Sequence, residues 1–310
     1  MNRSSLQASL QAALTLAALA ACSSGGSVPV SPIGASPAAR AARSLTVENL
    51  QKSLVYLSKA TANSIVVFRL DGKRIGAITK DVYYPQGIFV DAHGTLYVAN
   101  SGANDVLEFK RGASSPFKVL TDYGWQAEDV TVCPDGTVYV ANILKSGGGS
   151  GDIEVYDDGS RNPTRSLNWN GGGFFFFLTC DAHGNLFAAL VPGTTGTVVE
   201  FPHGKQSGAM MLPIFWGGNP SGITADPSGN LLVAGQGTGV EEFTESGNPT
   251  GLQITTVGLN QIALSPDGEL LLGASGKGGL QYTFPGGALD HTYRTHGGTP
   301  IGAAFDPGTN

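Results

Sequence analysis

The side chains that could do chemistry in this sequence share one position of a degenerate repeat, eight residues before a recurrent glycine. Four of the six copies carry an amide, a hydroxyl or a carboxylate at this position. A carboxylate among neutral oxygen donors can hold a hard cation or bind a polar ligand through hydrogen bonds. Such chemistry requires that the fold bring the copies around a common point. The six residues are Gln86, Glu128, Phe176, Ser221, Asn260 and Pro300.

Each copy of the repeat consists of an apolar run, a turn that contains glycine, and a second apolar run. Residues 86–100 and 128–142 show it best, and both end in Tyr-Val-Ala-Asn. This pattern predicts two short antiparallel strands joined by a tight turn. The runs are apolar at nearly every position, which indicates strands buried on both faces. The turn glycines recur every 39 to 48 residues, at Gly94, Gly136, Gly184, Gly229, Gly268 and Gly308.

A second landmark, an aromatic residue followed by a polar glycine turn, predicts a third and a fourth strand in each unit. Four strands at this period favour a propeller over a solenoid. The N-terminal copy has only the outer strands, and the C-terminal copy has only an inner strand. We therefore predict an all-β, six-bladed β-propeller, with four antiparallel strands per blade, closed by pairing the two chain ends. The landmark residues are Phe68, Phe109, Tyr156, Phe201, Phe243 and Phe284.

The inner strands of such a ring begin at the mouth of its central channel, so the six repeat positions are predicted to line that mouth. Several large aromatic residues fall in the crossings that lead to the inner strands. They could form a recognition face for a glycan, a peptide or a protein. Alternatively, the rings pack between blades, because tryptophan is highly buried on average. The candidate ligand-binding aromatic residues are Tyr123, Trp125, Trp169 and Trp216.

The repeat, an apolar residue followed by Asp-x-x-Gly-x-Leu-Tyr-Val-Ala, resembles NHL repeats and the senescence-marker-protein/gluconolactonase family over residues 54–308. Gluconolactonase-like members hold a divalent cation such as calcium or zinc in the channel. The resemblance implies Glu128 and Asn260 as metal ligands, with Glu128 as the catalytic carboxylate. Phe176 and Pro300 depart from the family by standing where further ligands would be needed.

Two functions follow from this sequence. The first is a binding module without a cofactor, whose ligands contact Gln86, Glu128, Ser221, Asn260 and the aromatic residues of the mouth. The alternative is a metal-dependent, lactonase-like hydrolase. The repeat pattern specifies a fold rather than an activity, so both remain open at this point. We expect Glu128 itself to be a solvated carboxylate at the rim.

The N-terminus predicts a lipoprotein signal peptide at residues 1–21, with a short apolar region that ends in small residues. The ending Leu-Ala-Ala before Cys22 resembles a bacterial lipobox, which implies cleavage there and acylation of Cys22 into a lipid bilayer. A plain signal peptide with a chance cysteine is the alternative. Residues 22–47 are rich in Ser, Pro and Ala and predict a flexible tether, with the propeller at 48–310.

Composition narrows the range of partners. Charged residues make up 14% of the chain and the net charge is −6, which indicates no nucleic-acid partner. Serine rather than aspartate follows Cys22, which favours the outer membrane of a bacterial envelope, facing either the periplasm or the cell surface. We expect a monomer.

The remaining cysteines and histidines carry weaker signals. Cys133 and Cys180 stand three and four residues before their turn glycines, so their side chains should point to opposite strand faces. We therefore expect two buried free thiols, with a disulfide as the alternative. His93 and His183 hold equivalent places in the inner hairpin turns, on the face opposite the mouth, where we expect ordinary turn residues.

Overall fold

The structure is a computed structural model that describes residues 53–308 apart from 146, 158, 215–219 and 236. The predicted signal peptide, Cys22 and the tether lie outside the described residues, as does Trp216. Within the described part of the chain, no helix combines the length and the apolar character needed to cross a membrane.

The described residues form six four-stranded antiparallel sheets, which we number as blades 1 to 6. Strands are given from the inner strand outward. Blade 1 contains β24 (Ala303–Asp306), β1 (Leu54–Lys59), β2 (Ser64–Arg69) and β3 (Arg74–Ile78). Blade 2 contains β4 (Pro85–Val90), β5 (Leu96–Asn100), β6 (Asp105–Phe109) and β7 (Lys118–Thr121). Blade 3 contains β8 (Trp125–Val132), β9 (Val138–Leu144), β10 (Ile153–Tyr156) and β11 (Arg165–Leu167).

The second half of the ring repeats this arrangement. Blade 4 contains β12 (Phe174–Cys180), β13 (Leu186–Val191), β14 (Thr197–Phe201) and β15 (Met210–Met211). Blade 5 contains β16 (Pro220–Ala225), β17 (Leu231–Gly235), β18 (Gly239–Phe243) and β19 (Pro249–Thr255). Blade 6 contains β20 (Ile262–Leu264), β21 (Leu270–Ser275), β22 (Gly278–Thr283) and β23 (Leu289–Tyr293). Two 3-10 helices, Ala60–Ala62 and Pro202–Gly204, follow β1 and β14.

The two ends of the described chain close the ring, as the sequence predicts. Strand β24 pairs antiparallel with β1, with Leu57 opposite Ala303 at one end of the register and Leu54 opposite Asp306 at the other. The pairing continues past the strand, because Ser58 O accepts the backbone N–H of Ile301 at 3.0 Å. The shared sheet removes the two open edges that a linear array would expose.

The strands are apolar throughout because each blade packs against a neighbour on both sides. Tyr139 and Ala141 of blade 3 lie in one buried cluster with Leu186 and Ala188 of blade 4. Tyr139 and Ala141 follow their turn glycine by an odd number of residues, whereas Leu186 and Ala188 follow theirs by an even number. Neighbouring blades therefore present opposite strand faces to each other, since successive side chains on a strand alternate between faces.

This alternation overturns the expectation of two free thiols. Cys133 and Cys180 form a disulfide between blades 3 and 4, with their Cα atoms 5.3 Å apart. The offset of one residue does place them on opposite strand faces. In a ring of blades, however, opposite faces are the ones that meet, so the same offset brings the two sulfur atoms together.

Replacing both cysteines, as Cys133→Ala/Cys180→Ala, should lower the free energy of unfolding of the oxidised protein by about 2–4 kcal/mol. The expected size follows from the 47-residue separation that the crosslink spans in the unfolded chain. Urea unfolding with and without reductant measures it, and the wild type and the variant should become alike in reductant. Recovery of both residues as alkylated free thiols, after purification from an oxidising compartment, would contradict the assignment.

Candidate functional site

A hydrogen-bonded bridge crosses the ring axis between blades 3 and 6, which lie opposite each other. Gln261, just before β20, donates from Nε2 to Oδ1 of Asp129 on β8 at 2.8 Å. Gln261 Oε1 accepts the backbone N–H groups of Ile88 and Ala303, each at 3.0 Å. Asp129 Oδ2 accepts the backbone N–H of Leu178 at 2.8 Å. These contacts join the inner-strand regions of five of the six blades, and we call them the axial bridge.

Glycines leave the room that the axial bridge occupies. A Cβ atom at Gly87 would collide with the carboxylate of Asp129, and one at Gly302 would lie 3.0 Å from Gln261 Oε1. Both chain segments run so close to the bridge that only glycine fits without displacing it. The backbone at Gly302 is also held by Ser58, whose Oγ accepts the Gly302 N–H at 2.7 Å.

Burial sets the electrostatics of the bridge. Asp129 is fully buried and Gln261 is 6% exposed. Loss of hydration raises the pKa of Asp129 well above its usual value, and the N–H group of Leu178 opposes that shift. A buried carboxyl group without such donors would be costly, so the amide partners are what make Asp129 tolerable here.

The axial bridge was not among the features predicted from the sequence, although the sequence carries a signal for it. Its polar members stand seven residues before the turn glycines, one place after the six predicted mouth residues. Two glycines and two polar side chains at this place are unusual for strands that are otherwise apolar. The six residues there are Gly87, Asp129, Phe177, Gly222, Gln261 and Ile301.

Four of the six predicted mouth residues lie where inner strands lose their regular register. The register of β4, β8, β12 and β16 shifts around these residues, each of which falls inside the irregular step. Such a bulge bends the strand and re-aims the side chains near it. The residues are Gln86, Glu128, Phe176 and Ser221.

Two of the predicted ligand-contact residues form hydrogen bonds with backbone carbonyl groups. Ser221 is 4% exposed, and its Oγ donates to Leu259 O at 2.5 Å. Asn260 donates from Nδ2 to Pro300 O at 3.0 Å, which ties the crossing before β20 to the crossing before β24. Both side chains thus fasten the segments that lead into inner strands.

Three polar side chains stand where inner strands begin at the mouth, namely Tyr84 directly before β4, Gln86 on β4 and Glu128 on β8, and we call them the mouth triad. Glu128 is only partly exposed, and burial raises its pKa to about 8. Burial, followed by the negative charge of Glu128, raises the pKa of the Tyr84 phenol. Gln86 Oε1 is buried and has no hydrogen-bond partner among the described residues. Glu128 is therefore less solvated than we expected for a carboxylate at the rim.

Some of the aromatic candidates pack between blades, and others are exposed as a recognition face would require. Trp169 is partly buried and packs on the apolar cluster between blades 3 and 4. Tyr123 is 53% exposed, but its hydroxyl donates to Asn162 Oδ1 at 3.2 Å, in the outermost hairpin of blade 3. Trp125, at the start of β8, is also partly buried. Tyr83, which lies in the β3–β4 crossing, is 57% exposed.

The described residues do not bring three acidic, histidine or cysteine donors together at Glu128. Asn260 is engaged with Pro300 O, and the raised pKa of Glu128 reflects burial without a positive neighbour. Within the described residues, the group of three acidic, histidine or cysteine side chains with converging donor atoms lies elsewhere and does not include Glu128. A hard cation needs several oxygen ligands. The geometry therefore gives no support to a lactonase metal at this position.

Replacing Gln261 with alanine should lower the free energy of unfolding by about 3–5 kcal/mol, because Asp129 Oδ1 and two backbone N–H groups lose their partner. Urea unfolding followed by circular dichroism measures the loss. Gln253→Ala is the matched control, since that exposed amide donates only to Thr238 O and its removal should cost less than about 0.5 kcal/mol. Equal stability of the two variants would contradict the role of the bridge.

Comparisons with known proteins identify the architecture. No protein-family model matches the sequence, and a comparison with curated proteins finds no match. The fold is similar to a chain of a nidogen/laminin complex, with a TM-score of 0.64 and 14% identity over 82% of this chain and 98% of that one. It is also similar to hydrazine synthase of Kuenenia stuttgartiensis, with a TM-score of 0.53 and 18% identity over 74% of this chain and 72% of that one. At these identities the likeness is one of fold, and the chain is a six-bladed β-propeller.

Proposed function

We propose that this protein is a ligand-binding β-propeller held on the bacterial cell envelope by a lipid anchor, with its ligand bound at the mouth of the ring. The observation that carries the binding proposal is the mouth triad beside a closed axis. A propeller whose axis is bridged by Asp129 and Gln261 offers a floor to a ligand rather than a passage through the ring.

The chemistry of the mouth triad favours an uncharged polar ligand. At pH 7 the Glu128 carboxyl, with its pKa near 8, is mostly protonated and can donate a hydrogen bond. The unpaired Gln86 Oε1 can accept one. The exposed ring of Tyr83 adds a flat apolar surface. Glycans and peptide backbones carry uncharged hydroxyl or amide groups next to apolar faces. Either could therefore bind at the mouth triad.

Binding rather than catalysis agrees better with these groups. A general base must be ionised near the working pH and within reach of the proton that it removes. The raised pKa of Glu128, about 8, leaves its carboxyl mostly protonated at pH 7, and the Tyr84 phenol is protonated there even at its ordinary pKa. The neighbouring carboxylate, Asp129, is occupied by the axial bridge.

The binding proposal is tested with arrays of envelope glycans and a random peptide library, screened against the full chain. Glu128→Gln keeps the shape and a hydrogen-bond donor, whereas Glu128→Ala and Tyr84→Ala remove contacts. We expect the two alanine variants to weaken a captured ligand at least tenfold and Glu128→Gln to weaken it less. Tyr123→Ala, an exposed aromatic at the outer rim, is the control and should bind like the wild type. Ligands that bind all four variants equally would place recognition away from the mouth.

The anchoring part of the proposal rests on the N-terminal sequence. The lipobox-like ending before Cys22 supports acylation at that cysteine, and serine at position 23 favours the outer membrane. If residues 22–47 serve as a flexible tether, a chain of that length would have an end-to-end distance of about 28 Å. This reach would hold the propeller clear of the lipid headgroups while keeping it at the surface.

Expression of the full chain in a bacterial host with labelled fatty acid tests the anchor. We expect label and protein to co-fractionate with the outer membrane, and Cys22→Ala to lose the label and enter the soluble fraction. Ser23→Ala leaves the cysteine in place and should stay acylated. A soluble, unlabelled wild type would point to a plain signal peptide.

A further inference from the structure

A second cluster of polar side chains lies on the face opposite the mouth, at the seam between blades 4 and 5. Asp181 and His183 belong to the turn between β12 and β13, and Glu245 belongs to the turn between β18 and β19. One possible ligand atom from each of the three side chains lies within 4.8 Å of the other two. The cluster thus brings one nitrogen and two oxygen donors together from two blades.

The equivalent seam between blades 1 and 2 shows what normally fills this place. There the buried carboxylate of Asp306, at the end of an inner strand, pairs with Arg111 Nε at 2.5 Å. Arg111 stands two residues after the landmark aromatic of its blade, and Glu245 stands at the same place in blade 5. Blade 5 therefore presents a carboxylate to the buried Asp181 where blade 2 presents a guanidinium.

Among the described residues, no lysine or arginine forms an ion pair with Asp181 or Glu245 at this seam. The Asp181 side chain has no exposed surface, and its ion-pair contact is with His183 Nδ1 at 3.7 Å. The charges of Glu245 and Asp181, after burial, raise the pKa of nearby Glu200. The buried carboxylate of Asp181 thus lies beside a second carboxylate, an arrangement that a bound cation would stabilise.

Hydrogen bonds hold the two carboxylates in place from behind. Asn185 donates from Nδ2 to Asp181 Oδ2 at 2.9 Å and to Glu245 Oε1 at 3.2 Å. Asp181 Oδ1 accepts the backbone N–H groups of His183 and Asn185, each at 2.8 Å. Outer contacts of this kind orient metal ligands and are a regular part of metal sites. The other oxygen atom of Glu245 and the exposed imidazole remain available.

We propose that Asp181, His183 and Glu245 bind a divalent transition-metal ion, with Zn²⁺ as the best fit, which clasps blade 4 to blade 5. An imidazole with two carboxylates is a donor set that zinc accepts, at about 2.0–2.2 Å from each donor atom. Calcium prefers six to eight oxygen ligands and suits this set less well. The ion supplies the charge that Arg111 supplies in blade 2. His183 and Glu245 are exposed, so they can close on the ion and leave its remaining positions to water.

The chain carries its own control for this site. Residues 91–94 repeat the Asp-Ala-His-Gly sequence of residues 181–184. Asp91 Oδ1 accepts the His93 N–H at 2.8 Å, as Asp181 does for His183. In the described part of the chain, however, no third acidic, histidine or cysteine side chain converges on Asp91 and His93. A histidine in this turn alone should therefore not bind the metal.

Zinc titration of the metal-stripped full chain, followed by calorimetry and by thermal unfolding, tests the proposal. We expect one Zn²⁺ per chain, and a rise in Tm of about 5 °C at a hundredfold excess over Kd. His183→Gln and Glu245→Gln should each weaken binding at least tenfold. His93→Gln should bind as the wild type does.

Glu245→Arg separates loss of the site from loss of the fold. It rebuilds the ion pair of blades 1 and 2, so it should abolish zinc binding while keeping the Tm of the metal-free protein at or above that of the wild type. Zinc binding by the wild type no tighter than by His183→Gln would overturn the proposal. Loss of binding in His93→Gln as large as in His183→Gln would overturn it as well.

Discussion

The hydrogen bond from Gln261 Nε2 to Asp129 Oδ1 is the constraint on which the rest of the structure depends. It spans the axis between opposite blades, and its two side chains also receive backbone N–H groups from blades 1, 2 and 4. Buried polar groups are tolerated only when paired, so the inner strands must keep their mutual positions for the bridge to persist. The bridge closes the axis, and this closure gives the mouth triad a floor.

Packing between blades governs the rest of the ring. Because each blade meets its neighbour through opposite strand faces, side chains at odd and even places in the repeat come together at every seam. This rule places the disulfide of Cys133 and Cys180. At two seams, the turn after the landmark aromatic of one blade also meets the end of the inner strand of the preceding blade, which sets Arg111 against Asp306 and Glu245 beside Asp181. Small changes at equivalent seam positions thus give one propeller a covalent link, an ion pair and a candidate metal site.

Strands, turns and ring closure could be predicted from the sequence because their causes are local. One can recognise the apolar runs, the turn glycines and the two partial blades at the chain ends in the sequence without knowing which residues are in contact. For the axial bridge the sequence offers only a set of unusual residues seven places before the turn glycines, since the pairing itself depends on which positions meet across the ring. Bulges at Gln86, Glu128 and Ser221 re-aim side chains that a regular strand would have placed differently. The prediction of two free thiols was wrong because opposite strand faces of neighbouring blades are the faces that meet.

Hydrogen exchange of the backbone N–H groups of Ile88, Leu178 and Ala303 tests the closed axis most directly. These groups donate to the two side chains of the bridge and are predicted to exchange only when the whole propeller unfolds, with protection equal to the global stability. Exchange of the three groups at rates typical of exposed loops would show water in the axis and would contradict the account.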